Sequence, residues 1–154
     1  MANVRFTVRH RFDHPPRIVW DELVDWAAHA AWIPATRVKV EAGDPLAIGA
    51  RFTAWTGLGP LVLEDRMELV ALDWNEGSSS GSCEVAKLGP ILTGRAGFTI
   101  EPDGTGTMLE WLEDVTVGFL PSFLGPVVGK VGALGFAQGM KRMAKLLDRK
   151  VRPA

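Results

Sequence analysis

The order of its strand and helix signals constrains the fold of this chain more than any other feature. Residues 36–117 contain six strand-like segments, separated by glycine, proline, aspartate and serine. One further segment with period-2 alternation precedes them, and residues 126–151 show no strand alternation and are rich in helix formers. Because strands and helices are grouped rather than strictly alternating, this order predicts an α+β fold.

The predicted elements have the following bounds. The first strand covers residues 4–12, and two short helices cover residues 15–25 and 26–32. The later strands cover 37–41, 50–56, 61–70, 82–88, 92–100 and 107–117, and the long helix covers 126–151. We therefore predict a curved antiparallel sheet of about seven strands wrapped around a long C-terminal α-helix.

Length and composition narrow the class of protein. A chain of 154 residues suits one domain, which we place at residues 1–154. The net charge of -1 and the ordinary density of charged residues argue against a nucleic-acid partner. The single cysteine, Cys83, excludes an internal disulfide and fits a reducing compartment, so we expect a cytoplasmic protein.

The segment 115–140 is long enough to span a bilayer and carries one charged side chain, Lys130. Pro121, Pro126 and several glycines interrupt it, and no basic asymmetry flanks it. We therefore predict no membrane span.

Five glycines recur along one face of the predicted long helix, together with Val128 and Phe136: Gly125, Gly129, Gly132, Gly135 and Gly139. Each costs a helix interior about 1 kcal/mol relative to alanine, so the pattern needs a reason. One reason is close packing against the sheet. The other is that absent side chains leave volume for a ligand.

The opposite face of the helix is also apolar and carries Val127, Val131 and Leu134. A helix that is apolar all round is buried or meets a partner. We expect this face to form either a homodimer contact or a mobile gate together with the apolar residues of segment 119–124.

Period-2 alternation selects the residues that face the interior of the sheet. The predicted cavity lining is Leu63, Met67, Phe98, Leu109, Trp111, Glu113, Val128, Gly132 and Phe136. Glu113 is the best polar candidate, because burial raises a carboxyl pKa and suits the group to act as an acid, a base or a ligand anchor. The alternative is that Glu113 meets water or pairs with Arg95 or Arg66.

His10 is a second catalytic candidate, because it shares the apolar face of the first strand with Val8 and Phe12. Its alternative role is an ordinary core hydrogen bond. His14 and His29 are predicted to face solvent, and no two histidines have metal-ligand spacing, so we predict no metal site. Phosphate-loop and dinucleotide motifs are absent from the sequence, and no cofactor is predicted.

Several short sequence motifs follow one another along the chain. Val19-Trp20, Leu23, Asp25, Trp32 and Pro34 match the spacing V-W-x-x-L-x-D-x(6)-W-x-P. Gly49, Phe98 to Pro102, Gly106-Thr107, Trp111 and the long helix follow. This order resembles the polyketide cyclase/dehydrase and lipid-transport families of the START-like, Bet v 1-like (SRPBCC) superfamily, and it implies the helix-grip fold.

The resemblance implies three functional hypotheses. The first is binding or carriage of a lipid-like or aromatic molecule in an apolar cavity between the sheet and the long helix. The second is a polyketide cyclase/dehydrase-like enzyme in which Glu113 or His10 assists proton transfer. The third is an interaction protein with the apolar outer face of residues 119–134 as its contact surface. Separately, residues 118–140 resemble actinobacterial members described as toxin-like components of two-gene systems.

Overall fold

An antiparallel sheet is the largest element of the structure, a computed structural model that describes residues 1–151. Its seven strands are β1 (Ala2–Phe12), β2 (Thr36–Val40), β3 (Arg51–Leu58), β4 (Leu61–Asn75), β5 (Ser80–Leu88), β6 (Leu92–Asp103) and β7 (Gly106–Val117). They are ordered β1-β7-β6-β5-β4-β3-β2. The first two strands therefore form the two edges, and the short helices between them carry the chain from one edge to the other.

The helices are α1 (Pro16–Leu23), α2 (His29–Trp32) and α3 (Gly125–Val151), with short 3-10 turns at Trp26–Ala28 and Ser122–Leu124. The long helix α3 packs mainly against β1 and contacts α2. The predicted α+β helix-grip fold is confirmed. The predicted second helix is shorter than expected, because its first residues form a 3-10 turn capped by the Asp25 side chain.

Alternating burial explains why these segments form strands. In β1 the side chains of Val4, Val8 and Phe12 are buried, whereas Arg5 and Arg9 are exposed. The prediction was too short for β4, which continues to Asn75. A register shift between Leu69 and Ala71 interrupts the alternation there, and a bulge of this kind also bends a strand.

The two halves of α3 pack differently against the sheet. In its second half the buried side chains of Met140, Met143 and Leu147 fill the space above the sheet. In its first half the buried positions are Gly125 and Gly129, which contribute no side chain. The core is therefore filled at one end of α3 and open at the other.

The glycines of this face have different surroundings. A Cβ on Gly125 would lie 2.5 Å from the backbone oxygen of Asn3, and one on Gly132 would lie 2.6 Å from the Phe6 ring, so both allow close packing on β1. A Cβ on Gly135 would meet nothing within 4 Å. Gly135 therefore faces empty space.

The outer face of α3 is apolar and exposed. Val127, Val131 and Leu134 are 58%, 65% and 71% exposed, and Phe119 and Phe123 nearby are exposed as well. A homodimer contact, a gate and a partner-binding surface on this face all stay predictions. Within residues 1–151, no helix is both long and apolar enough to cross a membrane.

Candidate functional site

A cavity of about 460 Å³ lies between the sheet and the first half of α3. Its volume falls within the range of roughly 300–1,000 Å³ that is typical of small-molecule sites. The cavity is partly open to solvent, and its walls come from the sheet, from α3 and from the segment that links α2 to β2. Exposed Val131 lies at its edge, so the cavity adjoins the outer face of α3.

The structure brings eight of the nine predicted lining residues to this cavity: Leu63, Met67, Phe98, Trp111, Glu113, Val128, Gly132 and Phe136. Leu109 is the exception and corrects the prediction. It does face inward from β7 and is fully buried, but it belongs to the packed core that contains Met140 and Met143. Leu109 therefore contributes to the packed core rather than to the lining of this cavity.

Aromatic rings form one wall of the cavity. The Trp111 ring stacks on Phe98 at a centroid distance of 5.5 Å and an interplanar angle of 21°. The Trp111 ring also meets the Phe136 ring, tilted by 31°, at a centroid distance of 5.0 Å. Flat, rigid rings of this kind give a large apolar contact area for a planar ligand.

Three charged side chains enter this apolar space from different strands: Asp65 from β4, Lys87 from β5 and Glu113 from β7. We call them the charged triad. Lys87 Nζ lies 2.5 Å from Asp65 Oδ2 and 3.5 Å from Glu113 Oε2. The Lys87 and Glu113 side chains are only 3% and 8% exposed. The triad is therefore a buried ion-pair network.

Trp111 ties the triad to the aromatic wall. Its indole Nε1–H donates a hydrogen bond of 3.1 Å to Glu113 Oε1. Both oxygens of Glu113 thus have a partner, one in the indole and one in the ammonium group of Lys87. These two contacts fix the orientation of the Glu113 carboxyl group beside Trp111.

The pKa values of the triad follow from burial and from charge. Burial lowers the pKa of Lys87, but the carboxylates of Glu113 and Asp65 together outweigh it and leave that pKa raised. Lys87 therefore stays an ammonium ion and cannot act as a neutral amine nucleophile. For Glu113, burial raises the pKa most, Asp65 reinforces this, and Lys87 only partly opposes it. Burial therefore favours the protonated form of the Glu113 carboxyl group more than water does.

One carboxylate oxygen in the cavity has no partner. Asp65 Oδ2 pairs with Lys87, whereas Oδ1 is buried and has no hydrogen-bond partner among the described residues. A buried acceptor without a partner costs about 1–3 kcal/mol. Because Asp65 lines the cavity, this oxygen is a candidate acceptor for a donor on a bound molecule.

His29 and Cys83 also line the cavity, but neither side chain is charged at neutral pH. Contrary to prediction His29 is buried, because Trp26, Trp32 and Trp111 pack around its ring. Burial lowers the pKa of His29 to about 4, and its neutral ring donates Nε2–H to the Leu23 carbonyl oxygen at 2.6 Å. Burial likewise raises the pKa of the Cys83 thiol to about 12, so it is not a thiolate nucleophile at neutral pH.

The other predicted catalytic residue does not join the site. His10 is half-buried on β1 against the Phe12 ring and lies outside the cavity lining. Burial and the nearby charge of Lys141 lower its pKa. It faces the filled half of α3 and cannot work together with Glu113.

The ion-pair alternative for Glu113 named the wrong cation. Arg95 pairs instead with Glu84 and Asp114 on the outer face of the sheet. The true partner, Lys87, and the third member, Asp65, were both missed. A signal was present, because period 2 places Asp65 between Leu63 and Met67 and places Lys87 two residues after Val85.

The part of the chain that the structure describes contains no group of three His, Cys, Asp or Glu residues placed to hold a metal ion. The cavity lining offers the charged triad, the indole of Trp111 and the aromatic wall. These groups can hold an apolar molecule, orient a polar group on it and exchange a proton through Glu113.

Comparisons with known proteins agree with this architecture. The family model for polyketide cyclase / dehydrase and lipid transport matches residues 3–152. No curated protein matches the sequence. A similar solved structure is that of a Thermus thermophilus protein, with a TM-score of 0.74, 14% identity, and coverage of 97% of this chain and 99% of that one.

Two further solved structures are similar over nearly the whole chain. The Zhui aromatase/cyclase of Streptomyces sp. R1128 has a TM-score of 0.68 and 13% identity, and the match covers 97% of this chain and 96% of that one. The STAR-related lipid transfer protein of Xanthomonas axonopodis has a TM-score of 0.68 and 16% identity, with coverage of 94% and 85%. At such low identity these matches show the fold alone.

Proposed function

Since the chain belongs to the polyketide cyclase/dehydrase and lipid transport family, we propose that it binds a hydrophobic small molecule in the cavity beneath α3. The observation that carries this proposal is the cavity of about 460 Å³, whose lining is apolar except for a few polar groups. Apolar walls with a small number of placed polar groups are typical of small-molecule sites. The aromatic wall around Trp111 favours a ligand with a planar part.

The test is a fluorescence titration with N-phenyl-1-naphthylamine, a neutral probe that emits strongly in apolar surroundings. Its roughly 17 non-hydrogen atoms, at about 0.3 kcal/mol each or better, predict one site with a Kd on the order of 100 µM or tighter. Native mass spectrometry of protein purified without detergent then shows whether a cellular ligand is already bound.

The outer face of α3 provides a matched control for this titration. Leu134→Ser removes an exposed apolar side chain outside the cavity, so the Kd is expected to stay within about twofold of the wild-type value. A protein that carries no ligand and gives no saturable probe binding contradicts the proposal. Probe binding that weakens in step with the Leu134→Ser substitution places the probe on the surface and contradicts it too.

A second function is favoured by the position of Glu113. Its carboxyl group is held in the cavity by Trp111 and Lys87, and burial raises its pKa, which suits a general acid or base in a polyketide cyclase-like enzyme. Glu113→Gln separates the two functions. Under the binding function the probe Kd changes less than about threefold, whereas an enzyme would lose roughly 100-fold or more in turnover of a poly-β-keto substrate.

The matched control for this substitution is Glu110→Gln, which removes an exposed carboxylate from the outer side of the same strand. It is expected to change neither probe affinity nor turnover. Turnover that depends on Glu113 and not on Glu110 would replace simple binding with catalysis as the function of the cavity.

A further inference from the structure

We propose that the ligand carries a hydrogen-bond donor, a hydroxyl or an ammonium group, which binds Asp65 Oδ1, and that the cavity discriminates against carboxylate ligands. This inference rests on the proposed function and names the ligand class of the same cavity. It follows from the hydrogen bonds of the charged triad, in which the oxygens of Glu113 already have partners and Asp65 Oδ1 has none among the described residues.

The free group of the triad is an acceptor. Asp65 lines the cavity, its Oδ1 is buried without a partner among the described residues, and the bond from Lys87 to Oδ2 holds the carboxylate in place. Glu113 has both oxygens occupied, by Trp111 and by Lys87. A ligand that satisfies Asp65 Oδ1 must therefore donate a hydrogen bond.

Lys87, the cation of the triad, already has an acceptor for each of its N–H donors. Lys87 has three N–H donors, and three acceptors surround it: Asp65 Oδ2 at 2.5 Å, Glu113 Oε2 at 3.5 Å and Met67 Sδ at 3.5 Å. Lys87 is also the only lysine or arginine among the cavity-lining residues that the structure describes. A carboxylate ligand would thus add a third negative charge beside one buried ammonium ion, which is unfavourable in a medium of low dielectric constant.

A matched series of head groups on one ring system tests this directly. The ligands are 2-naphthalenemethanol, 2-naphthylmethylamine, 2-ethylnaphthalene and 2-naphthaleneacetate, each used at pH 7 to displace N-phenyl-1-naphthylamine. The alcohol and the amine are expected to bind about tenfold tighter than the ethyl compound, since each makes a hydrogen bond to a charged acceptor. The acetate is expected to bind at least about tenfold more weakly than the ethyl compound.

The relative affinities of the amine and the alcohol show which kind of donor the site prefers. An amine that binds more tightly than the alcohol assigns the site to a cationic ligand, and the reverse order assigns it to a hydroxyl. Equal affinity of all four compounds, or tightest binding of the acetate, overturns the inference while leaving the proposed function intact. If direct calorimetry detects no binding of any of the four, the proposed function fails and this inference fails with it.

Variants locate the effect at the triad. Asp65→Asn removes one negative charge and, with the amide oxygen held by Lys87, places an N–H donor at the free position. An ammonium group can only donate, so the advantage of the amine over the ethyl compound is expected to fall to within about twofold, and the acetate penalty is expected to shrink about tenfold. Glu68→Gln on the same strand removes a carboxylate that pairs with Arg51 away from the cavity, and it should leave the ligand order unchanged.

A second variant keeps the inference testable if Asp65→Asn does not fold. Glu113→Gln removes one charge of the triad without touching Asp65 Oδ1. It is expected to preserve the advantage of the alcohol and to reduce only the acetate penalty. Loss of the advantage of the alcohol in Glu113→Gln would overturn the assignment of the donor to Asp65.

Discussion

Replacing Lys87 with methionine is expected to lower the free energy of unfolding at pH 7 by about 3–5 kcal/mol. The substitution leaves the partly buried carboxylate of Asp65 and the buried carboxylate of Glu113 without the ammonium ion that lies 2.5 Å and 3.5 Å from them. Urea denaturation of the variant and the wild type measures the difference. Lys39→Met, at an exposed position of β2, is the matched control and is expected to change stability by less than about 0.5 kcal/mol.

The loss of unfolding free energy in Lys87→Met is expected to depend on pH, and Glu113 determines whether it grows or shrinks on acidification. Burial already raises the pKa of this carboxyl group, and removing Lys87 removes the interaction that lowers it. A carboxyl group whose pKa is higher in the folded than in the unfolded state binds its proton more tightly when the protein is folded. It therefore destabilises the folded state at a pH above the folded-state pKa, and this destabilisation is lost as the pH falls. The loss of unfolding free energy in the variant should therefore shrink as the pH falls below 7. A loss below about 1 kcal/mol, or one that grows on acidification, contradicts this account of the triad.

The ion-pair network is expected to serve the ligand rather than stability. Breaking a buried ion pair is costly, but replacing a whole buried network with apolar residues is often neutral or stabilising by about 1–4 kcal/mol. Combining Lys87→Met with apolar substitutions at Asp65 and Glu113 should therefore recover the stability that the single substitution loses. Such a recovery would fit a network at the cavity wall that serves recognition.

The fold could be predicted because its signals are local. Alternation in β1 and the helix-forming run of α3 need only neighbouring residues, and the observed bounds lie within two residues of the predicted ones at both ends of these elements. The end of β4 was missed because the bulge beyond Leu69 breaks the period on which the prediction relied.

The charged triad could not be predicted from the same signals, because it depends on positions in three different strands. Alternation places Asp65, Lys87 and Glu113 on inner faces, but their contact requires the strand order and the register that sets Lys87 opposite Met67. Sequence distance gives neither. His29 was missed for a similar reason, since its burial depends on Trp111 from a distant strand.

Replacing Gly135 with leucine is expected to weaken binding of N-phenyl-1-naphthylamine by about 10-fold to 100-fold, because the new side chain occupies the ligand volume. Gly135 lines the cavity, and a Cβ at this position has nothing within 4 Å. The folded protein should not be strained, and the exchange of glycine for a good helix former favours α3 by up to about 1 kcal/mol. Probe titration and urea denaturation of the same sample measure both effects.

Gly125→Ala is the counterpart that should show the opposite pattern. Its Cβ would lie 2.5 Å from a backbone oxygen of β1, so the contact between helix and sheet must open and stability should fall by about 1–3 kcal/mol. Since Gly125 lies outside the cavity lining, probe affinity in the folded protein should stay within about threefold of the wild-type value. If both variants lose affinity only in proportion to stability, the glycine face of α3 exists for packing alone. If Gly135→Leu loses affinity while it keeps or gains stability, the gap at Gly135 is part of the ligand site, and the helix tolerates its glycine there because a side chain would close the cavity.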